Sequence, residues 1–279
     1  MEFGLERLRE CVAGLEQHLD YHGADLDEAR PVLVDMTMRA HQASNVVVQV
    51  RGESFGDTCS QLLAWWNSVD PGELIGLTVT RSGNSRSFVL QSAGPFVGGL
   101  DAQAWVRIDD MPALFPSLQP YQGIEVGVRV LRGLTSLIDD TVVEPASVAH
   151  DAVERVIVFT EHLHQHPQPL ASPRRVVVRG EQDHPITVDL GKMSLSDGCT
   201  VLLSWHELLT ESRFTVTRTP HLGGLTVVLE GVALHAGPCE VTTGVPESPK
   251  VFGSVPAHTG KPVGVELVRA LSNQVVAAT

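Results

Sequence analysis

The chain has 279 residues, of which 43% are hydrophobic and 19% charged, which is enough apolar material for a packed core and excludes wholesale disorder. Its 33 acidic and 20 basic residues leave a net charge of −13, so the basic footprint that nucleic-acid binding draws on is missing and anionic membrane surfaces are disfavoured. The N-terminal stretch MEFGLERLRE is charged and has no apolar signal region, and no run of about 18 apolar residues occurs, so neither a signal peptide nor a membrane span is expected.

In chain order, Leu5, Leu8, Val12, Leu15 and Leu19 recur at three- and four-residue steps and predict a helix over 4–19. Val32, Val34, Met36 and Met38 alternate with other positions, which predicts a half-buried strand over 32–39. A hairpin mate follows at 46–51, across a turn at 41–45. The next helix is expected to take Asp57 as its N-cap and to bury a stripe of Leu62, Trp65, Trp66 and Val69. Strands over 73–81, 86–93 and 101–109 then form a meander, with Ser82-Gly83-Asn84-Ser85 as a turn. A block from Gly127 closes the unit.

The second half repeats this plan. A helix is predicted over 147–165, strands over 176–179 and 186–190, a helix capped by Asp197, strands over 212–218 and 225–233, and a closing block from Gly264. Periodicity leaves 263–275 open between strand and helix.

Four blocks recur in the same order. Val50-Arg51-Gly52-Glu53 matches Val178-Arg179-Gly180-Glu181. Asp57, Cys59, Leu62, Leu63 and Trp65 match Asp197, Cys199, Leu202, Leu203 and Trp205. Thr78-Val79-Thr80-Arg81 matches Thr215-Val216-Thr217-Arg218, and Gly127-Val128, Arg132 and Leu134 match Gly264-Val265, Arg269 and Leu271. Such ordered self-similarity predicts a duplication. The fold class expected is α+β: a helix–hairpin–helix–antiparallel-meander unit in two copies, 1–143 and 144–279, related by a pseudo-twofold.

A fifth match supplies candidate chemistry. His18-Leu19 and His22 recur as His162-Leu163 and His166. Histidines four apart share a helix face, a spacing at which both imidazoles reach one metal, so His18, His22, His162 and His166 are candidate ligands for zinc or a similar ion. His164 and Asp20 lie nearby in sequence. The competing reading places these histidines at helix C-termini, where a partly cationic ring favours the dipole. No H-E-x-x-H is present, so a metalloprotease base is missing.

Cys59 and Cys199 are expected in the first turns of their helices, where a thiol can be activated, although a repeated small packing residue explains them as well. Trp65 and Trp205 read as core anchors. His206 replaces Trp66 on the apolar stripe and is expected to be hydrogen-bonded in the core; the functional alternative is a pocket opened where the first copy keeps a plug. Asp109-Asp110 and Asp139-Asp140 read as solvated strand or loop ends. The glycines of Gly94-Pro95-Phe96-Val97-Gly98-Gly99 fit no phosphate-binding pattern.

Cys11, Cys59, Cys199 and Cys239 form no C-x-x-C pair, as suits reduced thiols in a cytoplasmic protein. Acidity and the lack of catalytic motifs favour a non-enzymatic protein-binding role, as an adaptor, chaperone or assembly or immunity-type factor. Such a protein acts through a sheet face or a groove between the copies, with no cofactor, and a homodimer is one arrangement open to it. The alternative is an enzyme with its site between the repeats, a metal-assisted hydrolase if the histidines converge.

Overall fold

The computed structural model describes residues 3–27, 29–38, 45–69, 76–81, 87–96, 99–109, 119, 123–135, 152–165, 170–181, 183–219, 224–255 and 260–273, and the fold is mixed α+β. The chain divides into two compact units. The first is Glu10–Glu154 with Arg179–Glu181; the second is Met1–Arg9 with Arg155–Val178 and Gln182–Thr279.

Helix α1 (Phe3–Tyr21) brings Val12, Leu15 and Leu19 to the core of the first unit, all buried, as their spacing predicts. A short helix, α2 (Gly23–Leu26), leads to β1 (Leu33–Thr37) and β2 (Val46–Gln49), an antiparallel pair with Leu33 opposite Gln49. Then come α3 (Phe55–Ser68), β3 (Gly76–Arg81), β4 (Ser87–Pro95), β5 (Asp101–Asp109), β6 (Gly123–Val126) and α4 (Val128–Thr135). The strand order is β1-β2-β5-β4-β3-β6. Every pair is antiparallel except β2 with β5, which is parallel with Val46 opposite Ala102. Parallel neighbours need a long crossover, and α3 with the meander supplies it. The expected turn at Ser82–Ser85 lies outside the described residues.

The second unit takes α5 (Ala152–His164), β7 (Arg175–Arg179), β8 (Ile186–Lys192), α6 (Leu195–His206), β9 (Thr210–Thr219), β10 (Gly224–Ala233) and β11 (Gly237–Val245). It ends with α7 (Pro249–Phe252), β12 (Lys261–Val263) and α8 (Val265–Ser272). Its strand order is β7-β8-β11-β10-β9-β12, antiparallel throughout except for β8 with β11, where Ile186 lies opposite Cys239. Helix α6 packs on β10 and β11, and Ser196 Oγ donates to the Ser272 carbonyl at 3.0 Å, joining α6 to α8.

The structure corrects three sequence readings and resolves a fourth that the sequence left open. The helix caps are Ser54 and Ser194, not Asp57 and Asp197. Each serine is extended and its hydroxyl accepts from the aspartate backbone N–H at 3.1 Å. The aspartates sit three residues on, where a carboxylate folds back: Asp57 Oδ2 accepts from Glu53 N at 2.7 Å and Asp197 Oδ2 from Ser194 Oγ at 2.6 Å. Gly52 is needed here, because a Cβ would stand 2.4 Å from Asp57 Oδ2 and Thr58 N. Strand β11 was not predicted, although Cys239, Val241, Thr243 and Val245 alternate as buried positions along it. Residues 263–275 resolve into the end of β12 and α8, with 274 and 275 outside the described residues. Finally, Val50–Glu53 directly precedes α3, whereas β8 separates Val178–Glu181 from α6, so this tetrapeptide match does not mark corresponding places.

Candidate functional site

His18 is fully buried. Its Nε2 lies 2.9 Å from Ser68 Oγ, and its ring stacks 4.1 Å from Phe96 at 15° and 5.7 Å from Trp65. His22, half-buried, stands 4.8 Å away. Burial pushes the His18 imidazole down to about 4, and the neighbouring His22 adds to the effect. Such a ring is neutral at pH 7 and built into the core. Ser68 Oγ in turn donates to the Trp65 carbonyl at 2.8 Å.

His162 is half-buried on α5, with Nε2 3.3 Å from the Leu208 carbonyl, and His164 is exposed. His166 lies outside the described residues, as do Asp110, Asp139 and Asp140. Among the described residues no group of three or more His, Cys, Asp and Glu is gathered for a metal.

Cys59 and Cys199 occupy the second turns of α3 and α6, one turn later than expected, and both are buried. Burial pushes Cys59 up to about 12 and Cys199 to about 11, the reverse of an activated thiol. Trp65 and Trp205 are fully buried anchors. Trp65 Nε1 donates to the Ala29 carbonyl at 2.8 Å, whereas Trp205 Nε1 has no partner among the described residues. His206 is half-buried with Nδ1 2.5 Å from Ser212 Oγ and its ring 5.3 Å from Phe214. It is a hydrogen-bonded packing residue.

A further surface feature lies elsewhere, on the second unit's sheet. On one face, Val188, Phe214, Val216, Leu229 and Val241 are buried, and α6 packs on this sheet at β10 and β11. The other face carries Thr187, Asp189, Arg213, Thr215, Thr217, Glu230, Glu240 and Thr242, none of them buried, around Val228, which is buried. Near its end β10 bulges: pairing with β9 shifts register between Glu230 and Val232, and Glu211 adopts φ 50. The bulge opens a cleft of about 350 Å³ lined by Pro185, Glu211, Arg213, Glu230, Val232, Pro238, Cys239 and Glu240, among others.

Arg213 forms an ion pair with Glu230 across the strands. Burial holds the Glu240 carboxyl above its usual range, and Glu230 adds to the shift. The adjoining β10–β11 turn exposes Leu234 and places His235 at φ 64. It is held from behind by buried Arg155, whose Nε donates to the Ala236 carbonyl at 2.8 Å. Sequence reasoning missed this cleft because β11 was missing from the predicted meander. The available signal was Glu230, a lone charge inside the apolar run Leu225–Ala233.

Comparison with protein-family models, with curated proteins and with solved structures gives no match. Among the described residues no helix is long and apolar enough to cross a membrane.

Proposed function

We propose that this chain is a non-enzymatic protein-binding protein, an adaptor, chaperone or assembly factor, made by duplication of one α+β unit. The duplication is supported by strand order. The first unit runs β1-β2-β5-β4-β3-β6 and the second β7-β8-β11-β10-β9-β12, each with one parallel pair at the same place. Serine caps precede Cys59 and Cys199 by five residues in both. His18 meets Ser68, and His162 meets Leu208, each three residues past the buried tryptophan.

The observation that carries the binding role is the open face of the second unit's sheet, with its bulge, cleft and exposed Leu234. Solvated strand faces are ordinary; the support for a docking role here is that a concave cleft lies beside exposed Leu234, an apolar contact within a polar surround. The net charge of −13 favours a protein partner over nucleic acid, and four free, buried cysteines favour a reducing, cytoplasmic location.

Photo-crosslinking tests this. A benzoylphenylalanine placed at Thr187 or Thr217 should capture a discrete partner in cell lysate, a second copy of the chain included. The same probe at exposed Glu266 on α8 should not. Equal capture at all three positions, or none, overturns the reading.

A further inference from the structure

Resting on that reading of the sheet face, we infer that the row Arg213–Glu230–Glu240 is built to receive an arginine or lysine side chain from the partner protein. The three residues stand side by side on adjacent strands: Arg213 opposite Glu230, and Glu230 opposite Glu240. Two carboxylates share one internal cation. Arg213 pairs with Glu230, and among the described residues no cation pairs with Glu240. Like charges directly opposite each other weaken a sheet, so the Glu230–Glu240 pair costs the fold stability. A cation arriving from outside relieves that repulsion and completes an alternation of charge along the row. Pro185, Val232 and Pro238 line the same cleft and offer apolar contact to the aliphatic stem of such a side chain.

The first unit provides an internal control. Val79 lies opposite Leu90 as Val216 lies opposite Val227. Counting from these anchors, the positions of Arg213, Glu230, Glu240 and Thr187 fall on Gly76, Ala93, Gln103 and Val47, which are neighbours in the same way. That row is uncharged. Neither the strand order nor the register therefore requires the charges; they belong to the second unit alone. Three further features suit a cationic protein segment rather than a free metal ion: the cleft has about 350 Å³, room for a long side chain; Leu234 offers an apolar contact at the adjoining turn; and the carboxylates are not gathered as a metal cluster.

The test is a titration of the 15N-labelled full chain with an acetylated, amidated tetra-arginine peptide, with tetraglutamine as control. Amide shifts are expected to concentrate at Thr187, Arg213, Glu230, Val232 and Glu240. Affinity should fall roughly ten-fold or more in Glu230→Gln/Glu240→Gln and stay unchanged in Glu154→Gln/Glu266→Gln, which removes the same charge elsewhere. The first variant also lifts a like-charge repulsion, so its melting temperature should not fall. Shifts scattered over the whole acidic surface, or equal losses in both variants, overturn the inference. The docking reading fails separately. If crosslinking from Thr217 captures the same partner in the wild type and the double glutamine variant, the partner docks without this row and the inference falls alone. If nothing is captured by either, the docking reading itself falls, and the inference with it.

Discussion

The His18 ring lies face to face with that of Phe96, 4.1 Å apart and 15° from parallel, while its Nε2 meets Ser68. This is a neutral imidazole used as a core aromatic, and it makes folding sensitive to acid. The folded group titrates at about 4 and the unfolded one at 6.5. As pH falls, the unfolded chain takes up the proton first, so stability declines between about pH 6.5 and 4 and this group contributes no further loss below. The full effect is about 3 kcal/mol. Urea midpoints measured at pH 7.5 and 4.5 should differ by less in His18→Gln than in the wild type; an unchanged difference would place the acid sensitivity elsewhere.

The two tryptophans offer a paired comparison. Trp65→Phe removes the indole bond to the Ala29 carbonyl, whereas Trp205→Phe removes a buried donor that has no partner among the described residues. Both lose some packing. The first should cost about 1 kcal/mol more than the second, because only it leaves a buried carbonyl without its donor. Denaturant unfolding of the two variants decides it.

The helix caps should be equivalent. Ser54→Ala and Ser194→Ala each leave the backbone N–H of an aspartate without its acceptor, at a cost of about 1 kcal/mol apiece. Because the sites lie in different units, the double variant should lose the sum of the two. A loss seen at one site only would mean that the second helix start is held by other contacts.

Native thiol chemistry should be slow. With Cys59 and Cys239 pushed up to about 12 and Cys199 to about 11, little thiolate forms at pH 8. A disulfide reagent such as Ellman's should label none of these three until the protein unfolds, and the labelling rate should follow the unfolding rate in urea. Fast labelling of Cys59 or Cys199 in the folded protein would restore the activated-thiol reading.

The bulge beside the cleft depends on Gly231. A Cβ there would stand 2.8 Å from the Leu209 Cβ and 3.0 Å from both the Ser212 Cβ and the Thr210 carbonyl oxygen. Gly231→Ala should therefore destabilise the second unit by about 1–3 kcal/mol, since the strand carrying Glu211 and Arg213 has to move. It should also weaken tetra-arginine binding more than it shifts amides of the first unit, a difference visible in the same spectra.

The sequence carried the element types well and the site poorly. Long periodic segments such as Leu8–Leu19 and the Trp65 and Trp205 helices declare themselves, because one buried stripe fixes both the type of element and its orientation. Cap identity was harder: an aspartate and a serine three residues apart both suit a helix start, and only the hydroxyl geometry shows that Ser54 and Ser194 accept. The histidine spacing drew attention to metal chemistry, but it says nothing about depth, and His18 is packed against two aromatic rings that also touch each other. The Arg213–Glu230–Glu240 row was illegible for a different reason. Its members are 17 and 10 residues apart along the chain and meet only through strand register, which no local pattern encodes.

The parallel contact between β2 and β5 sets an order on folding. Val46 finds Ala102 only after α3, β3 and β4 have been laid down between them, and Ile186 finds Cys239 only after α6, β9 and β10. The antiparallel neighbours β9-β10-β11 need no such loop closure and can zip locally first. Each unit should then close by docking its early hairpin onto a preformed meander. The amides that bridge β2 to β5 and β8 to β11 would gain protection late in refolding and lose it early in hydrogen exchange, while those between β9 and β10 would exchange last of all.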